Sequence, residues 1–254
     1  MTKEHKEKIV EQFSKQAVAF KKLKGHYNAV DTIIQMSGVS THHKVLDIAC
    51  GTGISTCEFA KKAKNVIGLD ITKKMIEEAI KTQNENNLKN IDFDLGDVED
   101  LPYKDNTFDI VYTRYSFHHF LDTTKVFEEM LRVCKPDGKV IVVDVALEDK
   151  YSQAYNSMEK LRDPSHTKAL TFQEFNMLFS NKNLSEHKQS SYKVDMELEE
   201  QLAASFPNKG AKNRLREIFK KDIKTNSLGV DSYLQENKIY FSYPITIFTA
   251  TKFK

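Results

Sequence analysis

Cysteine is scarce in this chain: Cys50, Cys57 and Cys134 form an odd set with no C-x-x-C pair. That spacing argues against a disulfide framework and offers no metal site of the structural zinc type. Long apolar runs are missing as well, since no stretch approaches the roughly 18 residues of a membrane span, and 40% hydrophobic with 29% charged residues is the balance of a globular protein. The first residues, from Met1 to Lys8, enter an amphipathic pattern without the apolar core of a signal peptide, so a cytoplasmic location is expected. Charge of one sign is not in excess. A net +2 over 254 residues makes nucleic acid an unlikely partner. Residues 209 to 224 are a local exception, with Lys209, Lys212, Arg214, Arg216, Lys220, Lys221 and Lys224 against Glu217 and Asp222. The surplus reads as a solvated helix face, with attraction of an acidic substrate or carrier as the alternative. Repeats and low-complexity linkers are absent too, so a single domain over 1–254 is expected.

What is present is organised around Lys44-Val-Leu-Asp-Ile-Ala-Cys-Gly-Thr-Gly53. Val45, Leu46 and Ile48 suit a strand buried on both faces of a parallel sheet, and Gly51 and Gly53 allow a sharp turn whose backbone lies close to a ligand. Ile54, Cys57 and Ala60 then start an apolar helical stripe, so the first amides of that helix point over the glycine turn. Counted from Gly51, Thr56 fills the third glycine position of a dinucleotide fingerprint, and Asp47 just ahead of the turn is foreign to that fingerprint. A carboxylate beside pyrophosphate is unfavourable. A ligand with an ammonium group and a ribose fits better, with Asp47 facing the cation.

The remaining segments repeat the alternation of strand and helix. Residues 5 to 36 read as two helical stripes joined by a polar hinge at 21–27, which makes Phe20, His26 and Tyr27 candidate lid residues, with core packing as the alternative. Asn65 to Asp70 is a second buried strand ending in an acid 17 residues beyond Gly53, close to the interval for a carboxylate that takes a ribose diol. Thr72 is expected to cap the next helix, which carries Met75, Ile76, Ala79 and Ile80. Asn90 to Asp94 is a third strand leading to Asp97-Val98, where five acids between Asp92 and Asp100 also allow the reading of a solvated acidic loop. Thr107 to Thr113 is a fourth, followed by Arg114-Tyr-Ser-Phe-His118-His119-Phe120 at the carboxyl end, where open parallel sheets bind ligands. Asp122 caps a helix, Lys135-Pro-Asp-Gly138 ends it, and Lys139 to Val145 is a fifth strand. Residues 146 to 170 are polar without clear periodicity and read as an insertion, with His166 a weaker site candidate. Thr171 and Glu174 form a capping box, a strand follows near Leu184 to Val194, two helical stretches occupy 195 to 223, and Pro244 to Thr251 is a last strand of period 2.

Val45 to Gly53 resembles motif I of the class I S-adenosylmethionine-dependent methyltransferases. The segment 95–103, the turn at Lys135-Pro136 and the strand order are similar to later parts of that family. The resemblance implies an α/β fold, a doubly wound, mostly parallel sheet of seven strands of Rossmann-like type. Helical caps are placed at 1–40, 146–170 and 195–238, and the last strand is antiparallel beside the sixth. It implies S-adenosyl-L-methionine as cofactor, held by Asp47, Ala49, Cys50, Gly51, Gly53, Asp70, Ile71, Met75, Asp97, Val98 and Arg114, and methyl transfer to a small-molecule acceptor. His119 and His118 are the candidate catalytic bases, and Phe20, Tyr27 and Tyr115 the candidate acceptor contacts. Cys50 reads as a small turn residue rather than a nucleophile. Within the family the chain is most similar to the quinone C-methyltransferase group, but Arg114-Tyr115 and His118-His119 stand where that group has an Arg-Asn pair, which leaves its acceptor doubtful here. A non-catalytic cofactor-binding protein and an RNA methyltransferase are the alternatives; the latter lacks an Asn/Asp-Pro-Pro-aromatic motif after the fourth strand.

Overall fold

The structure is a computed structural model that describes residues 2–20, 29–181 and 183–253, without the side chain of Phe20. Its centre is β1 (Lys44–Ile48), paired in parallel with β2 (Asn65–Asp70) on one side and β4 (Phe108–Arg114) on the other. Beyond β2 lies β3 (Ile91–Leu95), and beyond β4 lies β5 (Cys134–Val145), both parallel. The last long strand, β8 (Lys238–Lys252), inserts antiparallel between β5 and β6 (Leu184–Glu197). The sheet order is β3-β2-β1-β4-β5-β8-β6, with the last strand antiparallel beside the sixth as expected, but the described residues hold one strand beyond the seven expected, β7 (Tyr233–Gln235), which forms a short hairpin with β8. Its three residues are all exposed, so no apolar alternation marks it in sequence.

Alternate residues of each central strand serve opposite faces, as burial on both sides requires. Val45, Ile110, Ile141 and Val143 belong to one apolar core with Phe59 of α3 (Ile54–Ala60) and Phe219 of α9 (Ala211–Thr225). Leu46, Val111, Val140 and Val142 belong to the other, with Phe127 of α5 (Thr123–Val133) and Phe175 of α7 (Phe172–Phe179). The caps expected at Asp122 and Thr171 form, the latter as a complete capping box. The Thr72 side chain makes no cap bond to α4 (Lys73–Glu85); its backbone amide is held instead by Asp70.

The N-terminal stripes become α1 (Lys3–Phe20) and α2 (Val30–Ser37), the second closed by Gly38 in the left-handed region. Residues 21–28, with the expected hinge and its His26 and Tyr27, lie outside the described residues. The segment 146–170, read as aperiodic, instead contains the 14-residue helix α6 (Asp149–Arg162). Its buried face mixes Tyr155 and Met158 with Asn156 and Glu159, so a search for an apolar stripe passes over it. Leu198–Ser205 forms α8.

Candidate active site

Neighbouring strand ends diverge around β1, where the chain continues to β2 on one side and later to β4 on the other, the switch point at which open α/β sheets make a crevice. A cleft of about 900 Å³ opens there, lined by Asp47, Gly51, Asp70, Asp97, Arg114 and His119 among others. Ala49, Cys50, Ile71, Met75, Val98 and Tyr115 also line it, and Ile9 and Phe13 of α1 form its roof. Gly53 lies at the start of α3, with φ of 75° and Ala79 so close that an added Cβ would sit 3.0 Å from the Ala79 Cβ. A side chain at Gly51 would meet no atom within 4 Å, so the backbone there is open to a ligand.

The acids differ in what holds them. Asp47 is buried, and its Oδ2 accepts hydrogen bonds from the hydroxyls of Thr56 at 2.7 Å and Ser55 at 3.4 Å. Thr56, which speaks against a dinucleotide fingerprint, thus has a positive task. Burial pushes the Asp47 carboxyl up to about 7 against the pull of those two hydroxyls. Asp70 bridges the glycine turn and the start of α4, accepting from the Gly51 amide at 2.9 Å and the Thr72 amide at 2.8 Å. Burial raises it too, against those amides. Asp97 accepts from the Glu99 amide at 3.0 Å and pairs with Lys6 of α1. Burial raises its carboxyl, but the Lys6 ammonium and the Glu99 amide together outweigh that and hold it below the usual range. Each Asp70 oxygen accepts one amide and retains a further lone pair for a ribose hydroxyl. With Asp47 for a cation and the Arg114 guanidinium in the same cleft, this donor and acceptor set fits S-adenosyl-L-methionine.

Arg114 ends β4 and lies 4.2 Å over the ring of Tyr115, to whose hydroxyl it donates at 3.0 Å. Tyr115, at φ 57°, is turned into the left-handed region, and its hydroxyl meets that of Tyr192 at 2.9 Å. Burial pushes the Cys50 thiol well up, which suits a small turn residue and opposes a nucleophile.

A second cavity of about 640 Å³ adjoins the cleft, and Phe13, Tyr115 and His119 line both. His118 and His119, on the 3₁₀ turn Phe117–His119, lie with ring centroids 4.3 Å apart and planes tilted by 47°, but face different partners. His118 Nδ1 lies 2.7 Å from Oδ1 of Asp144, at the end of β5. Burial disfavours its charge, yet Asp144 overcomes this and raises its pKa. His119 Nδ1 lies 3.1 Å from the carbonyl of Ser165 and its ring meets Phe13 edge-on. Burial and the neighbouring His118 push it down to about 3, so it is a neutral imidazole near pH 7. His166 is bound through Nε2 to Asn156 at 2.7 Å and, by burial, is also held neutral.

Sequence reasoning passed over Asp144, Glu159, Arg162, Asp163, Gln201 and Tyr243, which line or support the second cavity. Asp144 alone carried a signal, an acid inside an apolar strand, Val142-Val-Asp-Val145. Of the expected acceptor contacts, Tyr115 lines both the cleft and the second cavity, whereas Tyr27 and the Phe20 side chain lie outside the described residues. In the basic stretch Arg216 is paired with Glu199 and Lys220 with Glu217, both on the surface.

Comparison with known proteins bears on this arrangement. Residues 40–222 match a family model described as a methyltransferase domain. The uncharacterized methyltransferase YcgJ of Bacillus subtilis is 36% identical over 172 residues, covering 66% of this chain and 68% of that protein. The YcgJ crystal structure superposes with a TM-score of 0.82 at 26% identity, over 90% of this chain and all of that one. A demethylmenaquinone methyltransferase of Lactobacillus johnsonii is 34% identical over 59% of this chain and 66% of its own length. A ubiquinone/menaquinone biosynthesis C-methyltransferase of Hydrogenovibrio crunogenus is 33% identical over 57% of this chain, and this chain spans about half of it, 54%. With most of the chain inside one family model and the cofactor cleft at its expected strand ends, the protein belongs to the methyltransferase domain family and is an S-adenosyl-L-methionine-dependent enzyme.

Proposed function

We propose that this enzyme methylates a small molecule held in the second cavity. One observation carries the reading: the cofactor cleft and the second cavity meet at Phe13, Tyr115 and His119, so a ligand in one lies against a ligand in the other. Bound in the cleft, S-adenosyl-L-methionine supplies a sulfonium-linked methyl group as the electrophile. In this reading Asp47 faces the ammonium group, Arg114 the carboxylate, Asp70 the ribose, and Asp97 with the Val98 amide the adenine edge, while Ile71 and Met75 flank the ring. The turn of Ala49, Cys50, Gly51 and Gly53 keeps the backbone close to the ligand. Alignment and exclusion of water in such a closed site contribute several kcal/mol to the rate.

Where the acceptor carries a proton, His118 takes it. Asp144 raises its basicity and fixes the ring, whereas an imidazole at about 3 such as His119 binds a proton too weakly at neutral pH. His119 instead forms a neutral wall between the two ligands. The names of the quinone-methylating relatives support a small, largely apolar acceptor. A single domain with α1, α2, α6, α8 and α9 as its caps, working in the cytoplasm without nucleic acid, is consistent with this use. No described helix is long and apolar enough to cross a membrane. Calorimetric titration of the folded protein with S-adenosyl-L-methionine and with S-adenosylhomocysteine tests the reading. Both are expected to bind at one site per chain, and absence of binding by either defeats it.

A further inference from the structure

The second cavity carries more than apolar walls. Val145, Val194, Met196 and Ile245 line one part of it, and a shell of buried polar groups lines the rest. Those groups are occupied in a directional way. Nε of Arg162 lies 3.1 and 2.9 Å from the two oxygens of Glu159, Nη2 lies 2.5 Å from the second, and Nη1 donates to the Ser205 hydroxyl at 2.9 Å. The Tyr243 hydroxyl donates to the same carboxylate at 3.2 Å. Asp163 accepts from the amide and hydroxyl of Ser165 and from Gln16 at 3.0 Å, and Gln16 Nε2 also reaches the Ser205 carbonyl at 3.2 Å. The guanidinium is therefore one half of a buried ion pair, with a second carboxylate near it.

Two acceptor atoms stand apart from this closed network. Gln201 donates through Nε2 to Tyr243 at 3.4 Å, but its Oε1 has no partner among the described residues although the residue is only 7% exposed. A buried oxygen without a donor is costly, and a ligand that supplies one removes the cost. His118 has Nδ1 on Asp144, which leaves Nε2 as the ring nitrogen open to proton transfer. A site rich in acceptors, with its cation already neutralised, favours a molecule that donates and disfavours an anion, which would face Glu159 and Asp163 and could reach Arg162 only by breaking its pair.

Resting on the methyl-transfer reading, we propose that the second cavity selects an uncharged acceptor with an apolar body, which donates one hydrogen bond to Gln201 and turns its reacting O–H or N–H toward His118. It turns away carboxylates and phosphates. In the reaction the oxygen or nitrogen lone pair forms the new bond to the methyl carbon, and the carbon–sulfur bond breaks with its electron pair left on sulfur. The proton of the O–H or N–H passes to Nε2 of His118 and from there to solvent.

The test uses wild-type protein saturated with S-adenosylhomocysteine and a matched series on one ring system, naphthalene-2,7-diol, 7-amino-2-naphthol and 7-hydroxy-2-naphthoate, titrated by calorimetry. The diol and the aminonaphthol are expected to bind at least tenfold tighter than the naphthoate, and turnover with S-adenosyl-L-methionine shows whether oxygen or nitrogen is methylated. Gln201→Leu is expected to weaken the two tighter ligands about tenfold with the S-adenosylhomocysteine affinity unchanged. Naphthoate binding as tight as the diol, no binding by any of the three, or no effect of Gln201→Leu overturns the proposal while leaving the cofactor site intact. Failure to bind S-adenosylhomocysteine would instead strike the methyl-transfer reading itself.

Discussion

Replacing Asp47 by asparagine is expected to make the ligand-free protein more stable and its cofactor binding weaker, two effects of opposite sign from one buried charge. In the folded chain burial lifts the carboxyl from 3.8 to about 7. At 1.36 kcal/mol per pKa unit, ionised Asp47 costs the ligand-free fold about 4 kcal/mol at pH 8. The sign follows from proton counts. Between about pH 4 and 7 the folded state holds a proton that the unfolded chain has lost, so the contribution of Asp47 to stability falls as pH rises through that window. Asparagine keeps an oxygen for the Thr56 hydroxyl and removes the titration, so its gain over wild type should be near zero at pH 4 and about 2–4 kcal/mol at pH 8. Titrating groups remote from Asp47 are common to both proteins and cancel in the difference, while its neighbour Asp70, relieved of a like charge, shifts in the same stabilising sense. A bound cation draws the proton off Asp47, so wild-type affinity for S-adenosyl-L-methionine should strengthen up to tenfold per pH unit as pH rises toward 7, with proton release. The asparagine protein should lack that dependence and bind at least tenfold more weakly at pH 8. Denaturant unfolding at the two pH values, with calorimetry in buffers of different ionisation heat, measures both effects. Equal stability differences at pH 4 and 8, or equal affinity at pH 8, would refute the reasoning.

Asp70→Ala should weaken cofactor binding by about 1.5–3 kcal/mol, the range for hydrogen bonds to a charged group. It should also lower the melting temperature, because the Gly51 and Thr72 amides lose their acceptor; an unchanged dissociation constant would remove Asp70 from the ribose site. His118→Ala should reduce turnover about 10²-fold or more with cofactor affinity nearly unchanged, and equal turnover would exclude His118 as the base. Asp144→Asn should move the acid limb of the pH–rate profile to lower pH, since His118 then keeps burial, His119, His166 and Arg162 with only the more distant Glu159 carboxylate to raise its pKa. The same imidazole stabilises the fold below its ordinary pKa near 6.5, an effect lost as pH rises through its higher folded value, and the asparagine variant should lack it. Gly68→Ala places a Cβ 2.7 Å from the Phe93 ring and 3.0 Å from Cys50 Sγ, so it should cost about 1–3 kcal/mol in denaturant unfolding; a neutral result would mean that β2 and the glycine turn shift freely.

Local pattern was enough to read the seven longer strands of the sheet and to put the candidate cofactor residues at their ends. Val45-Leu46, Val66 to Leu69 and Val140 to Val143 bury both faces of their strands, a property each strand states by itself. Gly53 and Asp70 sit at strand and helix ends, where backbone geometry restricts the residue type. The acceptor side was not legible, because its groups meet from distant segments. Asp144 reaches His118 across 26 positions and Tyr243 reaches Glu159 across 84, with no shared period to announce either contact. The helix α6 escaped notice for the same reason, its inward face being partly polar to serve that network. His118 and His119 show the division most directly. Adjacent and chemically identical in sequence, they offer local pattern no means of setting one above the other as the base. One faces a carboxylate and the other a backbone carbonyl and an aromatic edge, and only the packing of β5, α1 and the 163–166 turn around them decides which ring carries a proton.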